Sequence, residues 1–268
     1  MIKKIVSLLI CAFLIVSVSA LDDTNAVTVF NDGEKVQAAA YLETDTVYIP
    51  VRSFCEELGA EVNWTGECAE IKGDGLYMTV YPNLKYITAN GRCLYAKYGV
   101  FIENGILMAP LRALATAFGG KTVWNGEEKS VDIKLGKETI VLGGEFYNAD
   151  DLYWLSRIIH AEASGESFEG KIAVGNVVLN RVDSPVFPDS IYEVIHDRRY
   201  GIQFTPAWNG GIKRAPSEES VAAAKLCLEG ENIVGASLYF AGAKVAASSW
   251  AGRNRDFVAR IGNHCFYA

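Results

Sequence analysis

The sequence predicts an α+β protein of two domains, and three observations support this class. The first half of the chain repeats a pattern of short strands around one short helix. The second half opens with two long helical patterns and ends in strand-like segments. Of the 268 residues, 50% are hydrophobic and 21% are charged, which is the composition of a chain that buries a core.

The first twenty residues, MIKKIVSLLICAFLIVSVSA, have the pattern of a secretory signal peptide. Lys3 and Lys4 give a basic start, an apolar run follows, and residues 18–20 are small enough for a cleavage site. A membrane anchor is the alternative, but the run is short for a stable span and no basic residues follow it. We therefore expect an exported protein that has no stable membrane span once residues 1–20 are removed.

Charge and cysteine content limit the partners and cofactors. The formal net charge is −7, so the chain has no cationic face to neutralise phosphates, and no nucleic-acid partner is expected. Besides Cys11, five cysteines remain, an odd number that leaves at least one thiol free or in an intermolecular bridge. They form no C-x-x-C pair, so neither a zinc site nor a redox motif is predicted, and no cofactor is expected.

An internal repeat organises the first half of the chain. Residues 47–71 (VYIPVRSFCEELGAEVNWTGECAEI) align with residues 107–131 (LMAPLRALATAFGGKTVWNGEEKSV) at an offset of sixty. The identical pairs are Pro50/Pro110, Arg52/Arg112, Gly59/Gly119, Trp64/Trp124, Gly66/Gly126 and Glu67/Glu127. In each copy a proline is predicted to open a short helix and a glycine with positive φ to end it. Two strand–helix–strand repeats are therefore expected to form one small α+β domain over residues 21–142.

Two features of the repeat predict local structure. The pair Asn125-Gly126 is a strong signal for a tight hairpin turn, and Thr65-Gly66 takes its place in the first copy. Trp64 and Trp124 occupy equivalent strand positions, so we expect both to lie in the core instead of forming a ligand platform.

This double unit resembles the copper amine oxidase N-terminal-like, or stalk, domain of exported bacterial proteins, over about residues 27–142. Copper binding is not expected here, because the three histidines of the chain, His160, His196 and His264, all lie outside the unit. We interpret it as a non-catalytic spacer or binding module.

The second domain is placed at residues 151–268, after a glycine-containing linker at residues 143–150. Its first helix is predicted to run from residue 151 to residue 163. Leu152, Leu155, Ile159 and Glu162 recur at steps of three and four, so the carboxylate shares the apolar face. Burial raises the pKa of a carboxyl group, which suits a general acid near neutral pH. The alternative interpretation of Glu162 is an acidic helix end.

The rest of the second domain is predicted from its pattern. A helix over residues 169–182 is apolar nearly all round and should be the central one. On it, Asn176 and Asn180 share a face, and we expect them to tie elements together instead of holding Glu162. The loop RRYGIQFTPAWNGGIKRAPSEES is of the kind that lines clefts. A helix after Ser217 and the strand-like segments ASLYFAG and RDFVARIG follow.

Four motifs occur in order across residues 151–268: IIHAEASGES, VVLNRV, QFTPAWNG and RNRDFVARIGNHCFYA. Together they resemble the spore cortex-lytic, or SleB/CwlJ-type, cell-wall hydrolase family. The resemblance implies a lysozyme-like α+β catalytic domain, related to lytic transglycosylases, that cuts the glycan strands of peptidoglycan in the cell wall or spore cortex. The family's catalytic glutamate, in its H-x-E-A segment, falls on Glu162. Cys265 replaces an Asp that is common at the family's C-terminal end, so no role of that Asp is carried over.

The expected chemistry is cleavage of the β-1,4 bond between N-acetylmuramic acid and N-acetylglucosamine, which requires a proton on the leaving oxygen. Glu162 is the predicted donor. A lytic transglycosylase reuses this glutamate to activate the muramoyl C6 hydroxyl, whereas a muramidase-type hydrolase needs a second carboxylate. Of the second acids available, none repeats the inward placement of Glu162, so the transglycosylase route is favoured; these acids are Glu166, Glu169, Asp189 and Asp256.

Substrate contacts are predicted from residues that suit sugars, since aromatic rings stack on sugar faces and amides bind hydroxyls. The candidates are Gln203, Phe204, Trp208, Tyr239 and Trp250. For each of them, packing in the core or in a loop is the alternative.

Other functions are less compatible with the sequence. His160 and Glu162 form an H-x-E motif that also occurs in zinc deaminases, but the required P-C-x-x-C is absent. No metal site is expected, and the three histidines are interpreted as surface, hydrogen-bonded or structural residues. A G-x-S-x-G elbow is absent, which disfavours a serine esterase. The second hypothesis is an inactive wall-binding protein that binds glycan without releasing products.

Overall fold

The structure is a computed structural model, and it describes residues 25–199 and 201–268. The predicted signal peptide lies outside the described residues. Within them the protein is α+β, as predicted. The strands of the first domain are β1 (Ala26–Asn31), β2 (Glu34–Lys35), β3 (Ala40–Glu43), β4 (Thr46–Pro50), β5 (Glu61–Trp64), β6 (Ala69–Gly73), β7 (Leu76–Val80), β8 (Tyr86–Ala89), β9 (Arg92–Tyr95), β10 (Phe101–Glu103), β11 (Ile106–Pro110), β12 (Lys121–Asn125) and β13 (Ser130–Lys134). Its helices are α1 (Val51–Glu57) and α2 (Leu111–Ala117).

Two sheets and the two short helices enclose one core in the first domain. One sheet has the order β10-β11-β4-β3-β1-β13-β12, with β2 paired to β1, and the other has the order β5-β6-β7-β8-β9. Strands β4 and β11 pair antiparallel with Ile49 opposite Ala109, which are equivalent positions of the two repeat copies. Phe54 and Leu114, one from each helix, are fully buried between the sheets.

The two repeat copies have matching helix ends. Pro50 and Pro110 each occupy the N-cap position, both at φ −60°, where the missing N–H removes no helical hydrogen bond. Gly59 and Gly119 follow the helices at φ +82° and +74°, a backbone conformation that glycine adopts at little cost.

The structure corrects two predictions about the repeat. Trp64 and Trp124 are exposed by 41% and 44%, because each lies near the end of an edge strand, beyond the reach of the core. The hairpin at Asn125 is closed by a four-residue loop, since Asn125 pairs with Ser130. The Asn125 side chain accepts hydrogen bonds from the backbone N–H groups two and three residues further along that loop, and Lys129 is the loop residue with positive φ.

The second domain packs helices against a small antiparallel sheet of order β14-β16-β15. Helices α4 and α5 pack against each other and against α8, with Leu155, Ile159 and Ile172 fully buried between them. Its elements are α3 (Gly143–Phe146), α4 (Ala149–Ala163), α5 (Phe168–Val182), α6 (Ile191–His196), α7 (Pro206–Asn209), α8 (Glu218–Leu228), β14 (Tyr239–Gly242), α9 (Trp250–Asn254), β15 (Phe257–Ile261) and β16 (His264–Tyr267).

Two asparagine side chains of helix α5 hold the segment that follows α8 by hydrogen bonds. The Asn176 side chain donates to the Glu231 carbonyl at 2.6 Å and accepts from the Ile233 backbone N–H at 2.9 Å. The Asn180 side chain donates to the carbonyls of Gly235 and Ser237. Both asparagines therefore tie elements together and do not hold Glu162.

The two domains are in direct contact through the β8–β9 hairpin. Arg92 forms a two-pronged ion pair with Glu229 at the end of α8, at 2.9 and 2.5 Å. The segment predicted as a linker contains α3 and Tyr147, whose hydroxyl donates to the same Glu229 carboxylate at 2.5 Å. Cys93 of β9 is part of the hydrophobic core of the second domain.

The structure also gives the state of the cysteines and the character of the helices. The five cysteines in the described part are all buried and free of disulfides; they are Cys55, Cys68, Cys93, Cys227 and Cys265. Among residues 25–199 and 201–268, no helix has both the length and the apolar character needed to cross a bilayer.

Candidate active site

A cleft of about 570 Å³ opens in the second domain, between α4 and α5 on one side and the loop and sheet that follow on the other. Helices supply one wall, and residues from the α6–α8 loop, from β14 and from α9 supply the other. The lining residues are Glu162, Arg181, Gln203, Thr205, Pro206, Asn209, Tyr239, Phe240, Ala241, Ser249, Trp250 and Ala251.

Glu162 is held by the last turn of α4. The Asn148 side chain caps the other end of this helix, accepting from the backbone N–H groups of Asp150 and Asp151. Leu155 and Ile159 anchor the helix in the core, so Glu162, on the same face, points toward the domain interior and reaches the cleft. The helical periodicity therefore predicted the orientation of this carboxylate correctly.

Burial changes the acidity of Glu162. The side chain forms no hydrogen bond or ion pair with any residue that the structure describes, and burial alone raises its pKa to about 7. The ionised carboxylate would lose hydration without gaining a neutralising partner, so the protonated form is favoured. At neutral pH this group is divided between its protonated and ionised forms, so it can act either as a proton donor or as a proton acceptor.

The alternative carboxylates lie away from the cleft. Glu166 accepts hydrogen bonds from the backbone and side chain of Asn263, and the backbone N–H bond is the main reason that its pKa is lowered. Glu169 pairs with Lys85 of the first domain. Asp189 and Asp256 are exposed and do not line the cleft. Among the described residues, Glu162 is thus the one carboxylate in the cleft lining.

Three of the five predicted substrate residues meet in the cleft. Gln203, Tyr239 and Trp250 line it together with Glu162. The Tyr239 and Trp250 rings pack edge to face, with centroids 5.4 Å apart, and Trp250 remains 53% exposed. These three residues offer an amide and two aromatic surfaces beside the acid.

The structure corrects the prediction for Phe204 and moves Trp208 away from the cleft. Phe204 is fully buried and packs against Phe240, so it supports the cleft wall from behind and cannot stack on a sugar. Trp208 is 41% exposed, but it packs beside His196 and under the guanidinium of Arg198, outside the cleft lining. Alternation along a loop does not reveal which neighbour faces inward, because loops lack a fixed side-chain period.

Sequence reasoning missed Arg181 in the cleft wall. It is only 4% exposed, although it lies in the last turn of the most apolar helix of the domain. A charged residue on an otherwise buried helix was the available signal, because arginine is almost never fully buried without a partner.

The histidines lie outside the cleft lining. His160 Nδ1 accepts from the Ser217 backbone N–H at 3.3 Å, and His196 Nδ1 lies 2.8 Å from the Tyr192 carbonyl. His264 packs against Phe240, and burial lowers its pKa. Across the described ranges, no group of three potential metal ligands comes together.

Two family models match the chain. Residues 165–267 match the cell wall hydrolase model, and residues 29–133 match the model of the copper amine oxidase N-terminal domain. The first match begins after Glu162, so that residue lies outside the matched range.

Curated relatives cover the second domain. A spore cortex-lytic enzyme of Halalkalibacterium halodurans is 33% identical over 135 residues, and that of Bacillus subtilis is 34% identical over 123 residues. These alignments cover 50% and 46% of this chain, but each covers only 39% of the relative's length. The cell wall hydrolase CwlJ of Bacillus subtilis is 29% identical over 121 residues, which are 44% of this chain and 84% of that protein.

Solved structures are also similar. The catalytic domain of the germination-specific lytic transglycosylase SleB from Bacillus anthracis is 30% identical, with a TM-score of 0.42, and the alignment covers 48% of this chain and all (100%) of that domain. The SleB catalytic domain of Bacillus cereus is also 30% identical, with a TM-score of 0.41, over 46% of this chain and 92% of that domain. The family matches and the curated relatives confirm both resemblances predicted from the sequence: the C-terminal part of the chain is similar to the cell wall hydrolases, and the N-terminal part is similar to the copper amine oxidase N-terminal domain.

Proposed function

We propose that this protein cleaves the glycan strands of peptidoglycan at the β-1,4 bond between N-acetylmuramic acid and N-acetylglucosamine, as a lytic transglycosylase. One observation carries the proposal: a partly buried carboxyl with a pKa of about 7, the one carboxylate among the described residues of the cleft lining, lies beside aromatic and amide groups. The similarity to spore cortex-lytic enzymes supports peptidoglycan as the substrate and the exterior of the cell or the spore as the place of action.

In the first step Glu162 acts as the general acid. Its carboxyl donates a proton to the glycosidic oxygen, the bond from that oxygen to C1 of the muramoyl residue breaks, and the shortened strand leaves with a new hydroxyl. Positive charge develops at C1 and the ring oxygen, while Glu162 becomes a carboxylate.

In the second step the same carboxylate acts as the base. It takes the proton of the muramoyl C6 hydroxyl, whose oxygen attacks C1 and closes a 1,6-anhydro ring. Glu162 is protonated again and no water is consumed. The absence of a second carboxylate from the described cleft lining favours this route over hydrolysis, in which a second carboxylate activates water or forms a covalent intermediate.

The test is digestion of purified peptidoglycan with the wild-type protein and with Glu162→Gln. Loss of a general acid and base costs roughly 100-fold to 10,000-fold in rate, so we expect the variant to release almost no product. Mass spectrometry of the released fragments should show 1,6-anhydro ends.

Two controls complete this test. Gln has almost the same shape as Glu, so circular dichroism and the thermal midpoint should show an intact fold in the variant. Reducing ends would replace the transglycosylase proposal by a muramidase-type hydrolase. Full activity of Glu162→Gln would refute the assignment of the acid, and binding without any product from the wild-type protein would support an inactive wall-binding protein.

A further inference from the structure

Arg181 is a buried cation in the wall of the cleft. It lies in the last turn of α5, lines the same cleft as Glu162 and is only 4% exposed. Burial lowers its pKa to about 10, so the guanidinium remains protonated at neutral pH.

The hydrogen-bonding groups of Arg181 are only partly used. Its Nε donates to the Leu238 carbonyl at 2.8 Å, which fixes the orientation of the guanidinium. Neither Nη atom forms a hydrogen bond with the described residues, and no ion pair joins Arg181 to a carboxylate among them. The nearby carboxylate of Asp197 is engaged by Arg199 through both oxygens.

A buried guanidinium whose N–H donors are unused destabilises the fold unless a hydrogen-bond acceptor binds to it. Removing a guanidinium from water is unfavourable, and hydrogen bonds to an acceptor recover part of that cost. The rings of Phe187, Phe204 and Tyr239 surround the guanidinium, with centroids 4.9, 5.2 and 5.6 Å from its central carbon. These contacts stabilise the cation weakly but cannot accept the Nη hydrogens in the plane of the guanidinium.

The position of Arg181 also leaves Glu162 unaffected. No ion pair forms between the two residues in the described structure, and burial is the cause of the raised pKa of Glu162. A guanidinium in contact with Glu162 would lower that pKa and remove the proton that the acid must donate. The guanidinium is therefore not used to neutralise Glu162 and stays available to another group in the cleft.

We propose that the Nη groups of Arg181 donate hydrogen bonds to the carbonyl oxygen of an N-acetyl group on the sugar bound beside Glu162. This inference rests on the function proposed above. An acetamido group combines an acceptor oxygen with an apolar methyl, and the lining around Arg181 combines charged donors with Tyr239, Phe240 and Ala241. Arg181 is thus a substrate-binding residue that selects acetylated strands.

The test compares wild type with Arg181→Gln on three glycan substrates: N-acetylated strands, strands that are chemically N-deacetylated, and deacetylated strands that are N-formylated again. Hydrogen bonds to charged groups are worth about 10-fold to 100-fold in affinity. We expect the wild-type kcat/KM to be higher by about this factor on acetylated and on formylated strands, which both keep the carbonyl. Arg181→Gln should reduce this preference to nearly one.

Matched variants separate recognition from folding. Arg214→Gln makes the same change at an exposed arginine outside the cleft lining and should keep the wild-type preference. Arg181→Lys retains the charge but loses the two-pronged donor, and an intermediate preference is expected. If Arg181→Gln does not fold, as judged by near-ultraviolet circular dichroism, Arg181→Lys takes its place in the comparison.

Several outcomes overturn the inference. If Arg181→Gln lowers kcat/KM equally on all three substrates, Arg181 has a structural role. If the variant keeps the wild-type preference for acetylated strands, Arg181 does not bind the acetyl group. If the wild type cleaves no strand, the proposed function fails. The role of Arg181 is then tested by binding: the affinity of Glu162→Gln for acetylated strands is compared with that of the double variant Glu162→Gln/Arg181→Gln. Equal affinities would reject the role of Arg181.

Discussion

At the scale of single residues, the environment of Glu162 connects burial to chemistry. The carboxyl is partly withdrawn from water and has no cationic partner among the described residues, so its proton is retained to about pH 7. The same burial that prepares the acid also destabilises the folded protein once the group ionises, because the unfolded chain can hydrate the carboxylate.

We predict that this linkage is visible in the pH dependence of stability. The pKa of Glu162 rises from 4.5 in the unfolded reference to about 7 in the folded protein. A raised pKa contributes stability that is fully present below pH 4.5 and is lost as the pH rises through about 7. Relative to Glu162→Gln, the wild-type free energy of unfolding should therefore fall by about 3 kcal/mol across this range. Urea unfolding of both proteins at several pH values measures the difference.

The same titration should appear in the kinetics. In the mechanism proposed above the free enzyme carries the proton on Glu162, so kcat/KM on peptidoglycan is expected to fall tenfold per pH unit above about pH 7. A constant stability difference between the two proteins from pH 4 to 8 would contradict the raised pKa, whatever the kinetics show.

At the scale of elements, the position of Glu162 depends on how closely α4, α5 and α8 pack. Gly175 of α5 lies against both neighbouring helices, because a Cβ atom there would come within 2.7 Å of Cys227 Sγ and 2.8 Å of Ile159 Cδ1. Ile159 precedes Glu162 by about one helical turn on α4. A small residue at this place in α5 therefore lets α4, the helix that carries Glu162, pack closely against α5.

We predict that Gly175→Ala lowers the free energy of unfolding by about 1–3 kcal/mol, the usual cost of inserting a methyl group into a packed core. This change is the opposite of the gain of roughly 1 kcal/mol that alanine normally brings to a helix. Gly144→Ala is the control, because a Cβ atom added there would meet no atom within 4 Å and α3 should be unaffected or slightly stabilised. Equal effects of the two substitutions on urea unfolding would show that helix propensity dominates.

At the scale of the whole molecule, the two domains share a buried polar contact. The side chains of Arg92 and Glu229 are exposed by only 12% and 10%, and the hydroxyl of Tyr147 donates to the same carboxylate. Lys225 adds a hydrogen bond to the Gly91 carbonyl at 2.6 Å, and the rings of Tyr86 and Phe168 lie 5.5 Å apart across the boundary. These contacts indicate that the first domain stabilises the second and is more than a tether.

We predict that Glu229→Ala lowers the free energy of unfolding by about 3–5 kcal/mol, since it leaves the buried guanidinium of Arg92 without its partner. Calorimetry should then show two separate transitions in place of one, because the domains no longer unfold together. The control is Asp45→Ala, which removes the exposed ion pair to Lys97, where the side chains are 58% and 52% exposed. That pair should contribute about 0–1 kcal/mol. Comparable losses in the two variants would argue against a stabilising domain interface.

Much of the fold follows from local pattern. The repeat offset predicted equivalent helices, because proline and glycine act on the backbone at their own positions. The three-and-four spacing placed Glu162 on the buried face of α4, and the apolar composition of α5 identified the central helix. Such signals are readable because the period of a helix is fixed by its backbone.

Other features were decided only by tertiary structure. Trp64 and Trp124 are exposed because their strands lie at sheet edges, which strand periodicity does not reveal. The path of a loop places Phe204 in the core and its neighbour Gln203 in the cleft lining. Arg181 and Glu162 share a cleft because α4 and α5 pack side by side, although the two residues are nineteen positions apart along the chain.

The sequence by itself indicated the α+β class, the two family resemblances and the apolar helix face that carries Glu162. Tertiary structure alone decided which side chains surround that acid, which carboxylates are kept away from it, and that Arg181 faces the same cleft. The physical reason is range: helix and turn signals act over a few residues, whereas burial, pKa and the lining of a cleft depend on elements that meet only after the chain has packed.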